Sequence, residues 1–91
     1  MRIHALIIGP DREDHIARHH VSVEEVEQIA SGLHQAFRAR YGYYGLVGQT
    51  EAGRYLTLFV GSRGGGVYGP VTARDADERE RALYRRYHPE R

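Results

Sequence analysis

Four residues in one stretch of this chain carry side chains suited to chemistry: Arg54, Arg74, Glu80 and Tyr84, all between Gly53 and Tyr87. Arginine grips phosphate with a planar two-pronged fork and stacks on bases, which lysine does not do. All 13 basic residues here are arginine and none is lysine. The bland source of that bias is codon usage in a GC-rich genome. Seven tyrosines add stacking surfaces for bases, although core and sheet packing accounts for most tyrosines in a domain. Glu80 is the most informative of the four. On a helix it shares one stripe with Ala76, Leu83, Tyr84 and Tyr87, so it points toward whatever the helix packs on. A carboxylate there needs a partner, because burying it unpaired is costly. Arg74, six residues upstream, and Arg54, on a neighbouring strand, are the two choices, and the contact is expected where helix meets sheet.

The elements that must position these groups read as strand, turn, strand, helix. Arg54 to Val60 places Leu56, Leu58 and Val60 on one face and Tyr55, Thr57 and Phe59 on the other. Neither face is charged, which predicts a central strand covered on both sides. Ser62 to Gly66 is a glycine-rich turn. Val67 to Arg74 is the second strand, and Pro70 inside it predicts an edge or a bulge. The helix is expected to start near Asp75, with Asp75 and Glu78 at capping-box spacing. Arg79, Arg81, Arg85 and Arg86 then read as a solvated face, with Asp75 pairing Arg79 and Asp77 pairing Arg81.

Upstream, Ile3 to Ile8 is an expected strand ended by Gly9-Pro10. Asp11 to His19 is an expected short helix, with His20 in the left-handed position after it. Ser22 and Glu25 form a capping box, and Val21 and Val26 sit at hydrophobic-staple positions. Val23, Val26, Ala30 and Leu33 continue one apolar face, and Gly32 is the expected stop. His34 to Thr50 reads as strand, in two segments broken at Gly42 or Gly45. Gln49 to Gly53 is a hairpin loop. The expected architecture is α+β: a small antiparallel sheet of about four strands with two N-terminal helices and a C-terminal helix packed on it, in the order β-α-α-β-β-β-α.

Composition sets the outer bounds. Ninety-one residues make one domain, 1–91, with a single modest core. No apolar run approaches the ~18 residues of a membrane span, and no signal peptide is visible, so a cytoplasmic location is expected. Cysteine is absent, which excludes disulfides and thiolate metal sites. A net charge of +1 disfavours a bulk nucleic-acid binder.

Three segments resemble one known family. HIARHHVSVEEVEQI resembles its basic-residue, His, Gly, Val, Ser segment and following Glu-rich helix. GQTEAGRYLTLFV resembles its Gly-x-Thr, Gly-Arg strand segment. VTARDADERERALYRR resembles its closing Ser/Thr-Ala-Arg, Glu-Arg, Tyr segment. Together, from about His15 to Arg86, they look like the BrnT family of bacterial type II toxins, whose fold is similar to the RelE/ParE ribonuclease toxins. The chain departs from that pattern at His20, where the family has Gly, at Arg18, where Lys is common, and at Pro70. The N-terminal Trp-Asp of many members is absent.

What the resemblance implies is an mRNA-cleaving toxin that blocks translation without a metal or other cofactor. A ribbon-helix-helix antitoxin would neutralise it and would supply the only link to DNA. Such cleavage uses the ribose 2′-OH as nucleophile and needs a base, an acid and cations for the phosphorane charge. Arg18, Arg54 and Arg74 are candidates for binding substrate and stabilising that charge. His19 has the unperturbed pKa for proton transfer. Glu80 is a base or an orienter, and Tyr84 a stacking platform or proton donor. Each has a structural alternative: Arg74 with Glu80 clips strand to helix, and His19 ends a helix. His15 and His19 with Asp11 or Asp14 offer a metal site with no firm third ligand. Two functions from different classes follow: a ribonuclease toxin, or a non-catalytic interaction domain on the same fold that associates with itself or a partner. Tyr41 to Leu46 is the expected apolar contact strand.

Overall fold

The computed structural model describes residues 1–89. Its elements are β1 (Ala5–Leu6), α1 (Pro10–Ala17), α2 (Val23–Ser31), β2 (His34–Arg38), β3 (Tyr44–Gln49), β4 (Tyr55–Ser62), β5 (Val67–Asp75) and α3 (Glu78–Tyr87), with a 3-10 turn at Arg40–Gly42. The sheet has five strands in the order β1-β5-β4-β3-β2. The expected antiparallel sheet of about four strands is a mixed sheet of five: the segment after α2 supplies two strands, β2 and β3, and the N-terminal β1 runs parallel to β5 while the other pairs are antiparallel. No helix among the described residues is long and apolar enough to cross a membrane.

β4 is central and covered on both faces, as its uncharged pattern predicts. On one side Leu56, Leu58 and Val60 join Ile16 of α1, Val26 and Ile29 of α2, Leu46 and Ala73 in the main core. On the other side a smaller cluster joins Val47, Ala76 and Tyr84, with Tyr55, Phe37 and Leu83 packed against it. The two N-terminal helices therefore cover one face, and α3 covers part of the other.

Local chemistry explains where the elements stop. β1 is shorter than the apolar run Ile3–Ile8 because β5 offers it only Val67 and Tyr68 as partners. Beyond them stand Gly69 and Pro70, and proline has no N–H for the ladder. The bulge predicted at Pro70 is present: Val60 faces Pro70 and Phe59 faces Thr72, leaving Val71 unpaired. α1 starts at Pro10, where a missing N–H is harmless, and ends at Ala17, before His19. His20 takes the expected left-handed conformation at φ 59°.

The α2 capping box is complete. Glu25 N–H donates to Ser22 Oγ at 3.2 Å and Ser22 N–H donates to Glu25 Oε1 at 3.0 Å. Val21 and Val26 are both buried. Leu33 is a correction: it is 70% exposed, because α2 ends before Gly32 and the chain turns Leu33 out of the helical stripe. The break in the next region falls at Arg40–Gly42, with Tyr41 at φ 60° and Gly42 at φ 76°. Gly45 lies inside β3 instead; the Phe37 ring rests on it, and a Cβ there would sit 2.2 Å from the ring.

The start of α3 is also corrected. The capping box is Asp77 with Glu80, not Asp75 with Glu78. β5 runs to Asp75, which pairs with Leu56, and Ala76 N–H donates to Tyr55 O at 3.0 Å. The chain is still held by the sheet at Ala76, so the helix cannot begin there. Asp75 and Asp77 are thus occupied, and neither forms the expected salt bridge with Arg79 or Arg81 among the described residues.

Candidate functional site

Glu80 and Arg74 meet where α3 crosses the sheet. Asp77 begins α3, and the capping box turns the Glu80 side chain back toward the helix start and down onto β4 and β5. Arg74 Nη1 donates to Glu80 Oε1 at 2.7 Å and Nη2 donates to Oε2 at 2.8 Å. Thr57 Oγ1 from β4 and the Asp77 N–H each add a bond to Oε1 at 2.9 Å. Burial opposes ionisation of Glu80 most strongly, but these donors together outweigh it and hold the carboxyl below its ordinary range. Such a carboxylate is an anchor at neutral pH and a poor base.

The same geometry leaves part of Arg74 available. A guanidinium has five N–H groups. Nη1 also donates to Asp75 O at 3.1 Å, so Glu80 and Asp75 together use three. The remaining two, on Nε and Nη2, lie side by side and form an unused fork among the described residues. The guanidinium stands 5.2 Å above the Phe59 ring, which fixes its plane.

Arg74 and Glu80 line one end of a groove of about 480 Å³ on the α3 face of the sheet. Phe37, Tyr43, Phe59 and Val71 supply much of its wall, and Arg40 and Tyr41 stand at its other end. Tyr41 is 86% exposed and meets Tyr43 edge-on at 6.2 Å. A left-handed backbone at a bulky residue is a strained arrangement. Here it holds an aromatic ring out in solvent beside the groove.

The six residues expected from sequence do not form one cluster. Arg74 and Glu80 come together as expected. Arg54 is committed elsewhere: Nε donates to Asp75 Oδ1 at 2.9 Å, and Nη1 donates to His20 O at 2.7 Å and to both Glu25 oxygens at 3.1 Å. It clasps the α1–α2 turn, the start of α2 and the end of β5. The Ser22 N–H, against the cost of burial and with help from Arg54, holds the Glu25 carboxyl below its ordinary range. Arg18 and His19 lie at the end of α1, toward the opposite face of the sheet. Arg18 lines a recess with Arg12, His15 and Arg63, and the His19 ring meets His15 at 5.5 Å. No three His, Asp or Glu side chains gather to hold a metal among the described residues. Tyr84 lines a different recess with Leu33, Tyr55 and His88. Burial first, and then the neighbouring Tyr55, push its phenol up, which keeps the proton on.

Sequence reading missed Thr57 as a donor to Glu80 and the groove formed by Phe37, Tyr41, Tyr43 and Phe59. Thr57 carried a signal: it is the one aliphatic hydroxyl between Arg54 and Val60, flanked by Leu56 and Leu58. The expected contact strand Tyr41 to Leu46 is only partly surface. Tyr43 and Tyr44 are half-buried, Leu46 is fully buried, and Tyr41 alone stands out.

The fold is the α+β, RelE/ParE-like arrangement of a mixed sheet with two helices on one face and one on the other. A crystal structure of the ribonuclease toxin BrnT from Brucella abortus is similar to it, with a TM-score of 0.63 over 81% of this chain and 97% of that one. The sequences are 17% identical, so the resemblance read from three segments is borne out as a likeness of fold. No protein-family model and no curated protein matches the sequence.

Proposed function

We propose that this protein binds single-stranded RNA in the groove beside Arg74 and cleaves it, as a ribonuclease toxin of the BrnT kind. The observation that carries this reading is the unused Arg74 fork, held in plane between Glu80 and Phe59 at a groove lined with aromatic rings. A two-pronged donor suits a phosphodiester, and exposed rings suit unstacked bases. In this reading the 2′-OH attacks the adjacent phosphorus, the P–O5′ bond breaks, and a 2′,3′-cyclic phosphate forms. The 2′-OH loses its proton to a base and the 5′-oxygen gains one from an acid. Arg74 takes the charge that builds on the non-bridging oxygens. Glu80 positions Arg74 and does not take the proton. Tyr41 stacks a base, and the hydroxyl of Tyr43 on the groove wall is the group assigned to proton transfer. The resemblance extends the proposal to a ribbon-helix-helix antitoxin that covers this groove in the inactive complex.

One observation favours a second reading, a non-catalytic binding domain on the same fold. The Glu80 carboxylate already accepts four hydrogen bonds, and no histidine lines the groove among the described residues. Induced expression, scored by growth and protein synthesis, separates the two when combined with purified protein and labelled RNA in EDTA. Arrested growth and products ending in 2′,3′-cyclic phosphate support the toxin, with both lost in Arg74→Gln. RNA binding without cleavage supports the binding domain. Neither binding nor cleavage removes the groove reading.

A further inference from the structure

We propose that Arg12, Arg18 and Arg63 form a second phosphate-binding subsite, which takes the backbone of the same RNA strand as it leaves the Arg74 groove; the inference rests on the RNA reading of that groove. These arginines line one recess of about 430 Å³, with His15 beside them and Asp11 as the only acidic side chain lining it among the described residues. The whole chain is nearly neutral at +1, so this is a local concentration of positive charge. The three differ from Arg54 and Arg74 in having no carboxylate within salt-bridge distance among the described residues. Arg12 is tied only to a carbonyl, Val71 O at 3.2 Å. Clustered guanidinium groups without counter-charge repel one another, and a bound anion relieves that repulsion.

The recess adjoins the groove. Val71 lines the groove with its side chain, while its carbonyl accepts from Arg12. One step along, Gly61 pairs with Gly69. A Cβ on Gly61 would stand 3.2 Å from the Tyr43 ring, and a Cβ on Gly69 would stand 2.7 Å from Arg63 Nε. The Tyr43 ring thus rests on Gly61 and the Arg63 guanidinium on Gly69, which is buried beneath it, and the glycine pair sets Arg63 of the recess beside Tyr43 of the groove. β1 pairs with β5 only as far as Tyr68, so no strand covers the edge of β5 beyond it. A strand that passes the Tyr43 ring therefore meets the Arg63 guanidinium next.

The test is fluorescence anisotropy with a trinucleotide and with a longer single-stranded RNA, across a range of salt. The proteins are the wild type, Arg18→Gln, the triple variant Arg12→Gln/Arg18→Gln/Arg63→Gln, and Arg74→Gln. Arg18→Gln guards against misfolding, because that exposed side chain makes no hydrogen bond among the described residues. Each phosphate contact on a single strand contributes about 0.7 to the slope of log affinity against log salt. The expected result is a slope lower by about 2 for the triple variant and about 0.7 for Arg18→Gln on the long RNA, with a loss on the order of tenfold for the triple variant. The trinucleotide should bind both variants as it binds wild type. An unchanged slope on the long RNA overturns the subsite. Equal weakening of the trinucleotide overturns its separateness from the groove. Competition by an acidic peptide as strong as by RNA at equal ionic strength overturns the RNA assignment in favour of an acidic protein partner. If Arg74→Gln binds both RNAs normally while the triple variant is weakened on the long RNA alone, the groove reading fails and the arginine subsite stands by itself.

Discussion

Arg54 directly precedes β4 and Arg74 lies on the neighbouring β5, and each meets a carboxylate from the start of a helix. Arg54 reaches Glu25 of the α2 capping box, and Arg74 reaches Glu80 of the α3 capping box. The difference lies in which edges of the guanidinium are used. Arg54 has Nε and Nη1 both engaged, so each two-pronged edge has lost one arm. Arg74 turns its Nη1–Nη2 edge to Glu80 and keeps the Nε–Nη2 edge whole. Arg54 is thereby a clasp and Arg74 a held but open fork. Residue type and spacing made the two equal candidates; each keeps two N–H donors, and only their placement separates them.

The comparison breaks most visibly in stability. Arg54→Gln should cost about 2–3 kcal/mol by urea denaturation, because it strands Glu25 and releases the α1–α2 turn. The exposed Asp75 contributes little of that. Glu80→Gln comes next, at about 1.5 kcal/mol at neutral pH, since the amide keeps the shape and loses a charge-assisted pair. Its folded pKa is lowered, so its stabilisation is present above the unfolded carboxylate value of about 4.3 and is lost as pH falls through the folded one. The gap between wild type and Glu80→Gln should therefore close on acidification through that window. A gap that widens in acid would contradict the ion pair. Ser22→Ala should cost about 1 kcal/mol by loosening the box that presents Glu25 to Arg54. The smallest effect is opposite in sign. Tyr41→Asn should stabilise by up to about 1 kcal/mol, because asparagine tolerates the left-handed backbone. The same change should weaken RNA binding, and weaker binding with no gain in stability would mean the strain is not real.

How much was legible depended on the range of the interaction. The Ser22–Glu25 box, the left-handed His20, the bulge at Pro70 and the two-sided β4 are dictated by residues within a few positions of one another. Glu80 on the inner face of α3, and its need for Arg54 or Arg74 as a partner, followed from helical spacing and the cost of an unpaired buried carboxylate; which of the two would answer did not. The clasp on Arg54 was not legible, because it joins residues 20, 25, 54 and 75 across three elements. The α3 start was misplaced by two residues because both Asp75 and Asp77 suit a cap locally, and Arg54 and the β4 ladder claim the first. The aromatic groove escaped notice because Phe37, Tyr41 and Phe59 come from separate strands and turns, and nothing in their spacing announces a shared surface.

The central claim is that Arg74, and not Arg54, presents a fork to RNA. The most direct measurement is the affinity of single-stranded RNA for folded Arg74→Gln and folded Arg54→Gln, each corrected for its folded fraction by urea titration. The account predicts a loss of tenfold or more, on the order of one charge-assisted pair, for Arg74→Gln, and wild-type affinity for Arg54→Gln. Equal losses in the two variants, or none in Arg74→Gln, would contradict it.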